Sequence, residues 1–110
     1  MFQIETISAK MLDYYVERSD AVIIDLRDPA AYRRGHVRNA VNIPYRELEE
    51  YLEKKQDQRY QFPKDKILIL YCDRGGASMQ AARSLARAGC RTRSVIGGFA
   101  AYRGRNLVSG

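Results

Sequence analysis

The stretch of this 110-residue chain best suited to do chemistry is Cys72-Asp73-Arg74-Gly75-Gly76-Ala77-Ser78. The apolar run Ile67-Leu68-Ile69-Leu70-Tyr71 leads straight into the cysteine. Two glycines then let the backbone fold tightly around its sulfur. From Ser78 a helical pattern begins, with Ala81, Ala82, Leu85 and Ala86 on one face and Gln80, Arg83 and Arg87 on the other. A thiol between a strand end and a helix start sits where backbone N–H groups converge and the helix dipole is positive. Such a place favours negative charge on the sulfur and on what binds it. The chemistry implied is cysteine nucleophilic attack on an anionic substrate. A buried structural cysteine is the competing reading, since free cysteines commonly pack in cores. Strand end, double glycine and helix start together weigh against it.

The elements that must position Cys72 alternate along the chain. Ser8 reads as the N-cap of a helix carrying Met11, Leu12, Tyr15 and Val16 on one face. Ala21-Val22-Ile23-Ile24 is a short apolar run of the buried-strand type. Asp28 and Pro29 predict the cap and first position of a short helix through Tyr32. Ala40-Val41-Asn42-Ile43 reads as a strand stopped by Pro44. Positions 46–55 predict an amphipathic helix, with Leu48, Tyr51 and Leu52 inward and Glu50 four residues before Lys54. The polar segment 56–66 reads as loop. After the Cys72 helix, ended by Gly89, Thr92 to Ile96 predicts a last strand. Gly97-Gly98 then turns into a short helix around Phe99 and Tyr102.

Strands alternating with helices predict an α/β fold, a mostly parallel sheet covered by helices on both faces. The ligand crevice of such a sheet lies beyond the carboxyl ends of its strands. Asp25-Leu26-Arg27, Cys72 and Gly97-Gly98 all fall at such ends, so separate elements converge on one edge.

Bulk properties narrow the function classes. The length fits one domain over residues 1–110. No apolar run approaches the ~20 residues that span a bilayer. Met1-Phe2-Gln3-Ile4-Glu5 lacks a basic segment followed by an apolar one, so a cytoplasmic location without a membrane partner is expected. Two cysteines and one histidine make a poor metal site, because structural zinc takes four ligands. Net charge is +6, and arginines cluster late at Arg83, Arg87, Arg91, Arg93, Arg103 and Arg105. The arginine fork suits oxyanions; the plainer alternative is a solvated basic face. No aromatic–basic recognition motif points to nucleic acid.

Asp25-Leu26-Arg27, Gly35-His36-Val37, Ala40-Val41-Asn42-Ile43-Pro44, the Cys72 loop and Gly97-Gly98-Phe99 follow one another in an order that resembles a single rhodanese domain. The likeness covers nearly the whole chain. It implies a five-stranded parallel sheet flanked by helices. It also implies a sulfurtransferase of the thiosulfate:cyanide type, in which Cys72 accepts a sulfane sulfur as a persulfide and passes it on. No cofactor is implied. The expected partners are a small anionic sulfur donor or a protein that donates or accepts sulfur. Thiosulfate is a dianion that a thiolate repels, so the site needs positive potential. The loop N–H groups from Asp73 through Gly75, Gly76 and Ala77 to Ser78, the helix dipole, Arg74 and Arg27 are its expected sources.

The chain departs from that family's pattern at several positions. Ala77 stands where an arginine often precedes the closing serine, leaving Arg74 as its substitute. Asp73 places an acid where a basic or neutral residue is common. Ala31 replaces an acid six positions after Asp25, so Arg27 lacks a partner there. Arg38 and Asn39 stand in place of a Gly and a Pro after Gly35-His36.

The remaining candidates divide between chemistry and packing. Cys90, after Gly89, reads as core filler, with a resolving thiol for Cys72 as the minority view. A helix over 78–88 would hold the two sulfurs roughly 16 Å apart, too far for a disulfide. His36 reads as structural rather than as a base, because a preformed thiolate needs none. Asp25 is expected to fix neighbouring backbone or Arg27, and Arg27 to line the pocket or form an ion pair. Two rival functions stand beside sulfur transfer. One is a carrier or binding module that takes sulfur from a partner without turnover on free thiosulfate. The other is a cysteine phosphatase, but such enzymes need an arginine clamp at the sixth position after the cysteine, where Ser78 stands.

Overall fold

The computed structural model describes residues 4–54 and 62–110. Position 55, segment 56–61 of the expected loop and the Lys54 side chain of the expected Glu50 pair lie outside the described residues.

The strands are β1 (Glu5–Ile7), β2 (Ala21–Asp25), β3 (His36–Val37), β4 (Val41–Asn42), β5 (Ile67–Tyr71), β6 (Arg91–Val95) and β7 (Leu107–Val108). The helices are α1 (Leu12–Tyr15), α2 (Pro29–Arg34), α3 (Tyr45–Lys54) and α4 (Gly76–Arg87), with 3-10 turns at Ala9–Met11 and Phe99–Ala101. Five strands form one sheet in the order β1-β6-β5-β2-β4. Every pairing in it is parallel. β3 and β7 form a separate antiparallel ribbon.

The apolar sequence of β5 explains its central place. All five of its residues are buried, as a strand covered on both faces requires. Ile67, Ile69 and Tyr71 pack with Leu12 and Val16, Ile23, Val37, Val95 and Tyr102. Leu68 and Leu70 turn the other way, against Leu48 of α3 and Ala81, Ala82 and Leu85 of α4. Two cores therefore lie on opposite faces of one sheet, and α4 seats its small alanines directly on β5. Among the described residues no helix is long and apolar enough to cross a membrane.

The structure corrects several boundaries. β1 has no apolar signal because Glu5 and Thr6 are exposed on an edge strand; its register is set by β6, where Arg93 pairs with Glu5 at 2.9 Å. Ser8 precedes a 3-10 turn and Asp28 precedes α2, and neither side chain caps through a hydrogen bond. α2 runs to Arg34 rather than Tyr32. α4 opens at Gly76, two residues before Ser78, because Gly75 takes the left-handed turn that starts it. The last expected helix is only the 3-10 turn at Phe99. The Arg38-Asn39 departure also has a physical reason. Asn39 adopts φ 71°, which asparagine tolerates better than most residues, and its amide donates to the Val16 carbonyl at 2.9 Å.

A polar hub on Asp13 ties the C-terminal segment to α1. Asp13 accepts from the Tyr102 hydroxyl at 2.5 Å, the Asn106 amide at 2.8 Å and the Arg105 N–H at 3.3 Å. The Arg38 guanidinium donates to the Asn106 side-chain oxygen, linking the β3 end of the ribbon to the hub. Desolvation opposes charge on Asp13, but the Tyr102 and Asn106 hydrogen bonds outweigh it and hold the carboxyl below its ordinary 3.8. A carboxyl lowered by folding stabilises the protein above its unfolded pKa. That contribution is lost as pH falls through the folded value. The denaturant midpoint should therefore fall as pH drops below 3.8, and Asp13→Asn should fall less steeply. Equal slopes in a pH series of urea titrations would contradict this.

Candidate active site

β5 delivers Cys72 to the carboxyl edge of the sheet, with only 8% of its surface exposed. Gly75 turns the chain back with φ +110°, a conformation that suits glycine. Its N–H then points at the cysteine and donates to Sγ at 3.1 Å. The first turn of α4 follows at once, and its leading N–H groups have no acceptor within the helix. The loop is thus a short cradle of backbone donors at a positive helix end.

Ser78 holds this cradle from beneath. Its hydroxyl donates to the Gly75 carbonyl at 3.0 Å and bonds the Ser94 hydroxyl of β6 at 2.8 Å. Both serines are buried. The Ser78 side chain is therefore a staple between loop and sheet, while its backbone N–H belongs to the first turn of α4.

The β6 end clamps the start of the loop. Phe99 N–H donates to the Cys72 carbonyl at 2.8 Å, and Ala100 N–H to the Asp73 carbonyl at 3.0 Å. This approach needs a glycine at position 98, where φ is +59°. A Cβ there would sit 2.5 Å from the Cys72 carbonyl oxygen and 2.6 Å from that of Asp73.

The third supporting element is the turn after β2. Asp25 is fully buried and accepts from the Arg27 N–H at 2.9 Å and from its guanidinium at 2.8 Å. Arg27 also donates to the Gly35 carbonyl at 2.5 Å and stacks 3.9 Å above the Phe99 ring. Burial opposes charge on Arg27, yet the Asp25 hydrogen bonds prevail and hold it more firmly protonated, with Asp73 adding to the effect. Of the two roles open in the sequence, the ion pair is the one observed. The Gly35 carbonyl stands in for the acid absent at Ala31. Tyr71 completes the cluster; its hydroxyl accepts from Val37 N–H at 3.1 Å. Burial first, then the Asp25 charge, pushes its phenol well above its ordinary range.

The other candidates sort clearly. Asp73 and Arg74 are exposed on the loop, and Ala77 is half-buried against the α4 side of the core. His36 is buried, stacks on Tyr32 at 3.7 Å and donates from Nδ1 to the Tyr32 carbonyl at 2.8 Å. That is the structural role expected of it. Cys90 is buried in the α4 core as a free thiol, as expected of core filler. Sequence reasoning missed Phe99 as the platform for Arg27 and Ser94 as the partner of Ser78. The only signal was a small polar residue next to Val95 at the buried end of β6.

Residues 8–105 match the family model described as Rhodanese-like domain. The chain belongs to the rhodanese-like domain family. Over 95 residues it is 33% identical to the thiosulfate sulfurtransferase GlpE of Coxiella burnetii, covering 86% of this chain and 82% of that one. The crystal structure of a rhodanese-like domain protein from Staphylococcus aureus matches at TM-score 0.78 and 23% identity, over 97% of this chain and 99% of the other. A structure of rhodanese with anions from E. coli matches at TM-score 0.62 and 28% identity, over 82% and 99%.

Gly98→Ala tests the clamp. The added methyl meets backbone on both sides, so the variant should lose about 2 kcal/mol or more of stability and most of any Cys72 reactivity. A variant with wild-type denaturant midpoint and wild-type alkylation rate at Cys72 would show that the approach is not required.

Proposed function

We propose that this protein is a sulfurtransferase that moves a sulfane sulfur through a persulfide on Cys72. The observation that carries the reading is the Cys72 sulfur held by the Gly75 N–H at the mouth of α4. The Cys72 thiolate attacks the outer sulfur of thiosulfate. A new S–S bond forms, the old one breaks, and sulfite leaves with the electron pair. The outer sulfur of the persulfide carries the displaced charge, and the loop N–H groups are placed to stabilise it. Cyanide or a thiolate then attacks that sulfur, and Cys72 leaves as thiolate. Arg74, exposed on the loop, supplies mobile positive charge for the incoming dianion. A protein persulfide serves equally well as donor in this scheme, and the reducing cytoplasm is where a free catalytic thiol persists.

The likeness to a thiosulfate sulfurtransferase at 33% identity supports this choice of donor. The phosphatase alternative fares poorly on geometry. The residue at the position of its arginine clamp is Ser78, whose hydroxyl is engaged by Gly75 and Ser94.

A thiosulfate and cyanide assay reading thiocyanate tests the reading. Wild type should turn over and Cys72→Ser should be inactive. Arg74→Ala should raise KM for thiosulfate by about fivefold with little change in kcat, as fits an exposed charge. Persulfide seen by mass spectrometry without turnover would favour the carrier alternative. No persulfide with any donor would overturn both.

A further inference from the structure

The surface around Cys72 carries features that a small anionic substrate does not use. Gly76 is the first. Its φ is not in the left-handed region, and a Cβ there would meet no atom within 4 Å. Neither backbone nor packing demands a glycine at this exposed helical position, where glycine is a poorer helix former than alanine. Its effect is to leave the outside of the loop bare.

Ile96 is the second. It follows β6 and is 61% exposed, although the next residue, Gly97, lies against the Gly75 turn. Ala100 and Ala101 are exposed on the turn whose Phe99 and Ala100 N–H groups bind the Cys72 and Asp73 carbonyls, and a Cβ on Gly97, next to Ile96, would meet the Ala101 methyl at 2.9 Å. The third feature is charge. The exposed Arg103 donates to the Ala100 carbonyl at 2.8 Å, which fixes a cation next to this apolar strip. Arg74 adds a second cation from the loop, and the whole chain carries +6.

We infer that this rim docks a partner protein that presents its reactive sulfur among acidic side chains, with apolar contact on Ile96 and ion pairs to Arg103 and Arg74. The inference rests on the sulfur transfer proposed above and names the class of its macromolecular partner. A second copy of this chain is disfavoured, because it would bring the same cations together. A nucleic acid is disfavoured by Asp73, which opposes a uniform phosphate backbone, and by Ile96, which offers it nothing. A protein can place a neutral group opposite Asp73 and an apolar one on Ile96. The bare loop at Gly76 gives its backbone room to approach the nearly buried sulfur of Cys72. In the exchange, the partner thiolate attacks the outer sulfur of the Cys72 persulfide. The S–S bond to Cys72 breaks, Cys72 leaves as thiolate, and the partner becomes the persulfide.

Short peptides with one cysteine flanked by Glu, Gln or Lys test this. The protein is loaded with thiosulfate, freed of excess donor, mixed with peptide and followed by mass spectrometry. The Glu peptide should accept sulfur about tenfold faster than the Lys peptide, with the advantage shrinking as salt is added. Ile96→Glu and Arg103→Glu should each slow the Glu peptide by about tenfold while leaving the rate with cyanide within about twofold of wild type. Equal rates for the Glu and Lys peptides, or variants as fast as wild type with the Glu peptide, would overturn the inference. So would polyuridylate that blocks the Glu peptide at concentrations below the peptide's own dissociation constant. Calorimetric binding of the Glu peptide to the Cys72→Ser protein keeps the test separate from the chemistry. Binding that is lost in Cys72→Ser/Ile96→Glu supports the docking surface even where thiosulfate turnover fails, and no binding overturns it.

Discussion

The close approach of the Gly98 backbone to the carbonyls of Cys72 and Asp73 is the constraint on which the site depends. Parallel pairing of β5 and β6 brings two chains out of the sheet side by side. They stay together beyond it only because no side chain intervenes at position 98. The N–H groups of Phe99 and Ala100 can then satisfy the two carbonyls that begin the loop. With those carbonyls engaged on one side, the N–H of Gly75 remains directed at the sulfur on the other. Ser78 and Ser94 fasten the same unit from below. The cradle is thus a property of crossing backbones rather than of any one charged residue.

The Arg27 cluster extends this constraint across the sheet. Asp25 and Arg27 are a buried ion pair, which is costly to desolvate unless its hydrogen bonds are nearly complete. Here the carboxylate, the Gly35 carbonyl and the Phe99 ring together surround the guanidinium. The same Phe99 supplies the N–H that binds the Cys72 carbonyl. Turns after β2 and β6 and the ribbon strand β3 therefore meet at one aromatic residue beside the reactive loop. Some of the energy holding the ion pair also holds the loop.

Legibility in the sequence followed burial. β2 and β5 were readable because a strand covered on both faces leaves an apolar run, whereas β6, which carries Arg91 and Arg93, was placed by the helix stop at Gly89 before it. Cys72, its glycines and α4 were readable because the strand–loop–helix joint has its own residue chemistry. β1, β3 and β7 left little trace, since two or three residues on an edge or ribbon take their conformation from their partners. The Asp13 hub joins positions 89 to 93 residues apart, so no local pattern announces it. Side-chain direction was the other blind spot. Nothing local to Ser78 announces where its side chain points; a helix starting two residues earlier turns the hydroxyl inward to Ser94. Arg27 could be placed at the correct sheet edge, yet its allegiance to Asp25 depended on the Gly35 carbonyl folding back over it.

The backbone clamp at Gly98 also separates two properties that many active sites must trade against each other. The outline of the loop is set by main-chain hydrogen bonds, while Asp73 and Arg74 project from it into solvent. Their charges can be exchanged, reversed or removed during divergence without reshaping the space around the sulfur. A lineage built on this scaffold can therefore change which donor or acceptor it attracts by altering two surface side chains, and inherit the reactive centre intact.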